Sequence, residues 1–190
     1  VNLNNILQTT LNPDVSGKNQ LAFKGIYLRE GDKVMQIKNN YDLQYRRDNG
    51  EYGTGIFNGD VGFITDIDKR GGILKVRFDD KVATYFSEDL AQLELAYAVT
   101  VHKSQGSEYS CVVLPLFDVP QKLKYRNLLY TAVTRAKKLL VAVGNDKVWT
   151  DMVANDRKTL RYTMLKQFLK EDSVKYTISF NGKARFNLEF

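Results

Sequence analysis

The chain has 190 residues, 43% of them hydrophobic and 26% charged, a composition typical of one soluble globular domain with room for a small insertion. Its formal net charge of +6 fits a polyanionic partner without requiring one, because many proteins carry such an excess for solubility alone. Cys111 is the only cysteine and His102 the only histidine, which excludes an internal disulfide and any metal site rich in these ligands.

The sequence contains no recognisable membrane span or signal peptide. No apolar run approaches the roughly 20 residues that cross a bilayer. The first five residues lack the basic and apolar regions of a signal peptide, and a single cysteine fits a reducing compartment. We therefore expect a cytoplasmic protein with no membrane partner. Because the chain does not begin with methionine, we also expect it to be a piece of a longer protein.

The first predicted elements are a helix and a strand. Apolar residues at positions 3, 6, 7 and 11 recur at helical spacing and predict a helix over 3–11, which Asn12-Pro13-Asp14 ends. Residues 20–27 form a loop or a short strand. The alternation of apolar and polar residues over 33–37 predicts a strand.

Short strands joined by tight turns are predicted for the next part of the chain. The polar segment 40–51 is expected to end in a turn or mobile tip at 46–50. Strands are predicted over 61–67, 73–78 and 82–86, with residues 74, 76 and 78 on one face, and Asn58-Gly59 is a strong turn signal. This pattern favours a small antiparallel barrel of the SH3-like kind.

The pattern changes after residue 95. Thr100 is predicted to cap a short helix that ends at Gly106. Continuous apolar runs at 110–114 and 138–144 predict buried parallel strands, and the helical pattern over 124–135 predicts the crossover between them. The tail holds a basic segment from 151 to 170 and, from 176 to 190, a predicted hairpin around Asn181-Gly182.

Arg135 is the first candidate functional residue. It ends the predicted crossover helix just before a strand, and ligands bind at such edges of parallel sheets. Its planar, permanently charged guanidinium suits a phosphate group, and an arginine that stabilises phosphoryl transfer contributes about 10³–10⁵ in rate. The alternative is a solvated cation that the helix dipole favours at its C-terminus.

The segment before the first parallel strand carries the other candidates. Gly106 permits close approach of the backbone to a ligand, the Glu108 carboxylate suits a ribose hydroxyl, and the Gln105 amide can both donate and accept. Short polar and cationic side chains nearby suit a DNA backbone, namely Thr100, His102, Lys103 and Ser104. Plain surface or structural roles are open alternatives for His102 and Lys103, and Cys111 is expected to be an inert core residue.

Residues 96–108 and 130–137 resemble motifs V and VI of superfamily 1 DNA helicases, in the branch of the exodeoxyribonuclease V α subunit, RecD, and its stand-alone relatives. Residues 31–36, 39–41 and 57–62 are also similar to segments of that family. A Gly-x-x-x-x-Gly-Lys-Ser/Thr phosphate loop does not occur in the sequence. The resemblance covers most of residues 1–145, and the tail after about 150 matches no motif.

The resemblance implies an α/β fold made of an incomplete second RecA-like helicase domain and a small inserted SH3-like β-barrel. The RecA-like part, a parallel sheet with helices, would comprise residues 1–42 and 92–150, with the barrel at 43–91 and a C-terminal tail of open role at 151–190. In this family a first domain supplies the phosphate loop, the magnesium carboxylate and the catalytic glutamate. That first domain, and a strand expected before residue 1, would be missing from these residues.

The resemblance also implies site roles. Arg135 would be the catalytic arginine finger, and the nucleotide would be contacted by Gln105, Gly106, Glu108 and Gln36. Contacts to single-stranded DNA would come from Thr100, His102, Lys103, Ser104, Asn39, Asn40 and Asn58. Exposed aromatic residues could add stacking platforms, although strand aromatics more often belong to a core; the candidates are Tyr41, Tyr45, Tyr52 and Phe57.

The implied function is that of the C-terminal fragment of an ATP-dependent 5′-to-3′ DNA helicase. ATP with magnesium would bind the complete protein, whereas the fragment alone would bind no cofactor stably and be inactive. Partners would be single-stranded DNA, the N-terminal helicase domain and subunits of an exonuclease complex. A relaxase-helicase of plasmid transfer fits equally well. Two non-catalytic alternatives remain open, a nucleic-acid-binding module and a module that docks on a helicase.

Overall fold

A computed structural model describes residues 3–15, 17–156, 176–180 and 184–188. These residues form the helices α1 (Leu3–Leu11), α2 (Arg126–Val133) and α3 (Asp146–Ala154). They also form the strands β1 (Gln20–Phe23), β2 (Ile26–Arg29), β3 (Lys33–Gln36), β4 (Asn40–Arg47), β5 (Tyr52–Ile56), β6 (Val61–Asp68), β7 (Ile73–Phe78), β8 (Lys81–Tyr85), β9 (Leu93–Leu95), β10 (Tyr109–Leu116), β11 (Ala136–Gly144), β12 (Tyr176–Phe180) and β13 (Ala184–Leu188). None of the described helices is long and apolar enough to span a bilayer.

Seven strands form one antiparallel sheet in the order β5-β4-β8-β7-β6-β3-β9, and we call it the seven-stranded sheet. Alternation along β7 confirms the predicted face, because Leu74, Val76 and Phe78 are buried whereas Lys75 and Arg77 are exposed. The core of the sheet continues through other strands, and its fully enclosed members include Leu28, Val34, Ile56 and Tyr85. The predicted SH3-like antiparallel architecture is confirmed.

The predicted turn or mobile tip at 46–50 is shorter in the structure, because residues 46 and 47 belong to a strand. Strand β4 runs from Asn40 to Arg47, so only the turn after it remains. Its polar residues alternate with Leu43 and Tyr45, which pack into the core, while β5 and β8 pair with its backbone on both sides. Strands β3 and β9, which were assigned to the RecA-like part, lie in the same sheet as β4–β8. The domain boundaries at residues 42 and 92 stay a prediction.

Helix α1 has the predicted bounds but packs through an unexpected face. Leu3, Ile6 and Leu11 are about half exposed or more, whereas Gln8 is buried. The spacing of the apolar residues therefore located the helix correctly but not the side that contacts the rest of the chain.

Strands β10 and β11 are parallel, and α2 lies between them in sequence, which confirms the predicted crossover. We call β10, β11, α2 and α3 the α/β part. Helices α2 and α3 share an apolar core with the end of β10, formed by Leu116, Leu129, Val148 and Met152. The sequence patterns do not predict helix α3. A signal was present in Asn145, which caps the helix by accepting a hydrogen bond from the Lys147 N–H at 2.8 Å.

The prediction that β10 and β11 are buried is wrong for the described residues. Val113 is 63% exposed and Leu139 is 54% exposed. Cys111 is also exposed, which corrects its predicted place in a core. The physical reason is that, within the described part of the chain, β10 and β11 pair only with each other, and the apolar core that β10 shares with α2 and α3 lies on one face.

Residues 101–106 form consecutive turns instead of the predicted short helix, and we call residues 100–106 the polar turn. The Lys103 N–H still donates to Thr100 Oγ1 at 3.3 Å, so Thr100 caps the start of the turn and not of a helix. Gly106 ends the polar turn with a φ of +86°, a conformation that favours glycine.

The predicted C-terminal hairpin is confirmed as the antiparallel pair β12–β13. Its turn at 181–183 lies outside the described residues, as do residues 157–170 of the basic segment predicted from 151 to 170. Strands β12 and β13 lie in a unit of their own.

Candidate functional site

The Arg135 side chain lies at the junction between α2 and the loop that precedes β10. Its Nη1–H donates to the Ser107 carbonyl at 3.0 Å, and its Nε–H donates to the Thr131 carbonyl at 3.1 Å. Its Nη2–H donates to Thr134 Oγ1 at 3.2 Å. In the opposite direction, the Tyr109 N–H donates to the Arg135 carbonyl at 2.8 Å. The fold thus joins the two segments that the sequence singled out.

The Arg135 guanidinium is half-buried and retains donor capacity. A guanidinium carries five N–H groups, and the three bonds above use three of them. These bonds hold the planar group in one orientation against the loop, so less side-chain conformational entropy would be lost when it binds an anion. The geometry is that of an oriented cation rather than a freely solvated one.

Glu108 and Lys137 form an ion pair beside Arg135. Their oxygen and nitrogen atoms are 3.0 Å apart, and each side chain is more than half exposed. The Lys137 ammonium lowers the pKa of Glu108 through a hydrogen bond and its charge, and the charge of Arg135 adds to the effect. The carboxylate is therefore held as an acceptor, the form that can receive hydrogen bonds from a sugar hydroxyl.

The polar turn presents most of the other candidates to solvent. Thr100, His102, Lys103 and Gln105 are exposed, and a Cβ added at Gly106 would meet no described atom within 4 Å. The Lys103 ammonium pairs with Glu94 on β9, which ties the turn to the seven-stranded sheet.

Ser104 differs from its neighbours in the polar turn because it is 5% exposed. Its hydroxyl donates to the Val101 carbonyl at 2.8 Å. The contacts of Ser104 thus stabilise the turn itself, which corrects the expectation of a direct DNA contact at this side chain.

Gln36 lies inside the seven-stranded sheet with no exposed surface. Its Nε2 donates to the Lys38 carbonyl at 2.8 Å and to Gln92 Oε1 at 2.9 Å, while the Tyr85 hydroxyl donates to its Oε1 at 2.8 Å. Burial also raises the pKa of Tyr85. These bonds use both amide hydrogens and the carbonyl oxygen, and the buried side chain leaves no surface for the expected nucleotide contact.

The three predicted asparagines also bond within the seven-stranded sheet and its loops. Asn39 Oδ1 accepts from the Asn58 N–H at 2.9 Å, and Asn40 Nδ2 donates to Gln92 Oε1 at 3.1 Å. Asn40 Oδ1 also accepts from the Leu43 N–H at 2.9 Å. The exposed side chains of Asn39 and Asn58 remain available to a ligand, but their contacts do not include the residues around Arg135.

Three of the four candidate aromatic residues are exposed. Tyr41 and Phe57 meet edge to face with ring centroids 5.6 Å apart, and Tyr52 is 79% exposed. Tyr45 packs against the core, and the cations of Arg47 and Lys81 lie 5.5 and 4.9 Å from its ring centroid. An exposed pair of rings is suited to base stacking, and that role stays a prediction.

Sequence reasoning missed a buried polar cluster around Asp32. This carboxylate is fully buried and accepts hydrogen bonds from Gln8 and Asn12 of the first helical segment and from the Tyr97 hydroxyl. Burial, followed by the bond to Asp32, raises the pKa of Tyr97 to about 12. A signal was present, because the polar residues at positions 4, 8 and 12 share one helix face.

Two family descriptions match the chain. Residues 3–78 match the SH3 domain of ATP-dependent RecD-like DNA helicases, and residues 95–143 match the UvrD-like helicase C-terminal domain. The fold and these matches define a superfamily 1 helicase segment. Across the two matched ranges, the chain belongs to the RecD-like helicases.

Individual relatives agree with this family. The chain is 34% identical to the ATP-dependent RecD2 DNA helicase of Deinococcus radiodurans over 165 residues, which covers 87% of this chain and 21% of that protein. It is 30% identical to the RecBCD enzyme subunit RecD of Buchnera aphidicola over 155 residues, covering 78% of this chain and 24% of that subunit. The chain thus spans between a fifth and a quarter of the length of these relatives.

Two solved structures of Pif1 helicases are also similar to the chain. One comes from a study of DNA unwinding at forked duplex DNA by two coordinating Pif1 helicases; it is 22% identical, with a TM-score of 0.37, and covers 66% of this chain and 31% of that one. The other is a Pif1 helicase from Bacteroides, 16% identical with a TM-score of 0.37, covering 81% of this chain and 43% of that one.

Proposed function

We propose that the chain is the C-terminal part of an ATP-dependent DNA helicase and supplies an arginine finger to a nucleotide held by a separate lobe. The observation that carries the proposal is the hydrogen bond between the Arg135 guanidinium and the Ser107 carbonyl. It joins the helix end and the polar loop that together resemble the nucleotide-coupling motifs of the family. The 5′-to-3′ direction rests on that resemblance alone.

Arg135 would stabilise the negative charge that shifts during transfer of the γ-phosphoryl group. Such a group is worth about 10³–10⁵ in rate, or roughly 4–7 kcal/mol of barrier. Glu108 would accept hydrogen bonds from the ribose, and Gln105 with Gly106 would transmit the nucleotide state to the DNA side. Magnesium would arrive with ATP and be held by carboxylates of the other lobe.

Single-stranded DNA would pass along the polar turn. Thr100, His102 and Lys103 are exposed there and can donate to phosphate oxygens, which carry no sequence information. We expect binding that weakens as the salt concentration rises, because each phosphate contact releases condensed counterions. Lys103 would exchange its partner Glu94 for a phosphate.

The test is ATP turnover by the complete protein after Arg135→Ala. We expect kcat to fall about 10³-fold or more, while the affinity for single-stranded DNA changes less than about twofold, since the phosphate-facing turn keeps its side chains. Arg126→Ala is the matched control, because this arginine lies at the other end of α2 and donates to the Val153 carbonyl. Undiminished turnover in Arg135→Ala would contradict the finger role.

A second candidate is a non-catalytic module that binds nucleic acid. The exposed Tyr41–Phe57 pair and the net charge of +6 favour it. This module would bind single-stranded DNA in a salt-dependent manner and with the same affinity whether or not nucleotide is present. A change in DNA affinity when a non-hydrolysable ATP analogue is added to the complete protein would rule it out.

A further inference from the structure

The polar cluster around Asp32 connects four separate stretches of the chain. Gln8 Nε2 donates to Asp32 Oδ2 at 2.5 Å, and Asn12 Nδ2 donates to Oδ1 at 2.6 Å. The Arg29 N–H donates to Oδ2 at 2.7 Å, and the Tyr97 hydroxyl donates to Oδ1 at 2.9 Å. The carboxylate thereby joins α1 and the residue after it, the end of β2, the start of β3 and the segment that leads into the polar turn.

The chemistry of the cluster specifies a carboxylate at position 32. A carboxylate offers acceptor sites only, and here it meets four neutral donors. An asparagine in its place would present one acceptor oxygen and two new donors to those same groups. Because the site is fully buried, water cannot satisfy a donor left without a partner, and such a loss is costly.

A second set of bonds continues from the cluster toward the polar turn. Asn4 Nδ2 donates to the Ala98 carbonyl at 3.0 Å, and the Ala98 N–H donates back to Asn4 Oδ1 at 2.7 Å. The Ala96 N–H donates to the Lys33 carbonyl at 2.8 Å. Residues 96–98 are therefore held on both sides, and Thr100, which caps the polar turn, follows two residues later.

We propose that Asp32 is a positioning residue that fixes the polar turn through Tyr97. Neither Asp32 nor Tyr97 would touch nucleotide or DNA; together they would hold the backbone that carries His102, Lys103 and Gln105. The inference rests on the proposed function for its catalytic consequence, whereas the positioning itself is a property of this chain. A link of this kind would connect the seven-stranded sheet, through β3, to the nucleotide-coupling turn.

The test of the positioning is hydrogen exchange in the complete protein carrying Tyr97→Phe, which removes one hydroxyl and keeps the ring. The informative amides are those of Ser104 and Gln105, which bond to Thr100 and His102 inside the turn. We expect their exchange to accelerate about tenfold, since a hydrogen bond to a charged group is lost. Tyr27→Phe is the control, because the Tyr27 ring is half exposed on β2 and only its carbonyl belongs to the network.

Two further variants separate positioning from general loss of stability. Asp32→Asn should accelerate exchange in the turn more than Tyr97→Phe does. Exchanging the two groups, Asp32→Asn with Asn12→Asp, should restore part of the protection, because a carboxylate remains in the cluster beside Lys18, whose ammonium already bonds to Asn12. Unchanged exchange in the turn, or an equal rise at the Val76 amide of β7, would overturn the proposal.

Kinetics of the same variants give the catalytic consequence. We expect DNA-stimulated kcat to fall about tenfold in Tyr97→Phe, with the KM for ATP and the unstimulated turnover unchanged. Faster exchange in the turn together with undiminished DNA stimulation would contradict the catalytic part of the inference. Failure of the proposed function is a separate result, since it would appear as full turnover in Arg135→Ala and leave the exchange data as they are.

Discussion

The seven-stranded sheet and the α/β part bury their apolar residues to very different degrees. In the sheet, Val34, Leu74 and Tyr85 have no exposed surface, whereas Val113 of β10 is 63% exposed and Leu139 of β11 is 54% exposed. Parallel strands in folded proteins are almost always covered on both faces. The sheet therefore completes its core with residues of this chain, while the parallel pair leaves apolar surface for other residues to cover.

This difference agrees with the proposal that this chain supplies Arg135 and that a separate lobe holds the nucleotide. The chain spans 21% of the length of its RecD2 relative. In our proposal the remaining parts of a longer protein cover the parallel strands and bring the triphosphate to Arg135. An exposed groove of about 630 Å³ already runs between α1, residues 96–101 and β10, with Arg135 among its lining residues.

The largest effect on stability is expected in the core of the seven-stranded sheet. Leu74→Ala removes a fully buried side chain from β7 and should lower the free energy of unfolding by about 2–5 kcal/mol. Urea unfolding of the chain, followed by circular dichroism, measures the change.

Val113→Ala is the matched variant in the α/β part. Its side chain is already largely in water, so the loss should be at most about 0.5 kcal/mol. Equal losses of stability in the two variants would mean that other residues of this chain cover β10 and β11, which would contradict the proposed difference in burial.

The smallest effect concerns the ion pair beside Arg135. Lys137→Met should raise the pKa of Glu108 toward its ordinary value, because the ammonium that lowers it is removed. A lowered pKa means that the pair stabilises the folded state above the ordinary carboxyl pKa and that this contribution disappears as the pH falls through the folded-state pKa.

A carboxyl-carbon NMR titration of Glu108 in the two proteins measures this shift. Lys138→Met serves as the control, since it removes the neighbouring exposed lysine of β11. Because the pair is exposed, the change in overall stability should be too small to resolve by thermal unfolding. An unshifted titration curve would contradict the assigned role of Lys137.

Local patterns predicted much of the fold. Period-two alternation located β3 and β7, and helical spacing located α1 and α2 to within a few residues. The strand–helix–strand order predicted the parallel pairing of β10 and β11, since a crossover of this length permits it. These features depend on neighbouring residues and are therefore readable along the chain.

The features that escaped prediction depend on partners distant in sequence. Strand β4 is not predicted, because its residues are mostly polar and its stability comes from pairing with β5 and β8. The resemblance implies a nucleotide contact at Gln36, yet its side chain bonds to Gln92 and Tyr85 inside the sheet. Helix α1 docks through polar residues because the buried Asp32 lies opposite them. Burial of β10 could not be predicted because it depends on residues beyond this pair of strands.

In the proposed site, too, local motifs were predictable whereas contacts between distant residues were not. The two motifs predicted functional roles for Arg135 and for the loop that carries Glu108. In the structure, the Arg135 guanidinium donates to the carbonyl of Ser107 in that loop, 28 positions earlier in the sequence. The sequence did not reveal that Ser104 is buried or that the Tyr97 hydroxyl donates to the buried Asp32. Such supporting contacts carry no motif of their own, since any buried donor and acceptor can make them.

The most direct test of the central claim compares the binding of ADP with that of ADP and aluminium fluoride to the complete protein, with and without Arg135→Ala. A residue that acts on the transition state strengthens binding of the transition-state analogue far more than binding of the product. We predict that Arg135→Ala weakens the aluminium fluoride complex by about 10³-fold, while the Kd for ADP changes less than about threefold. An equal loss for both ligands, or no loss for either, would contradict the proposal that Arg135 completes the site.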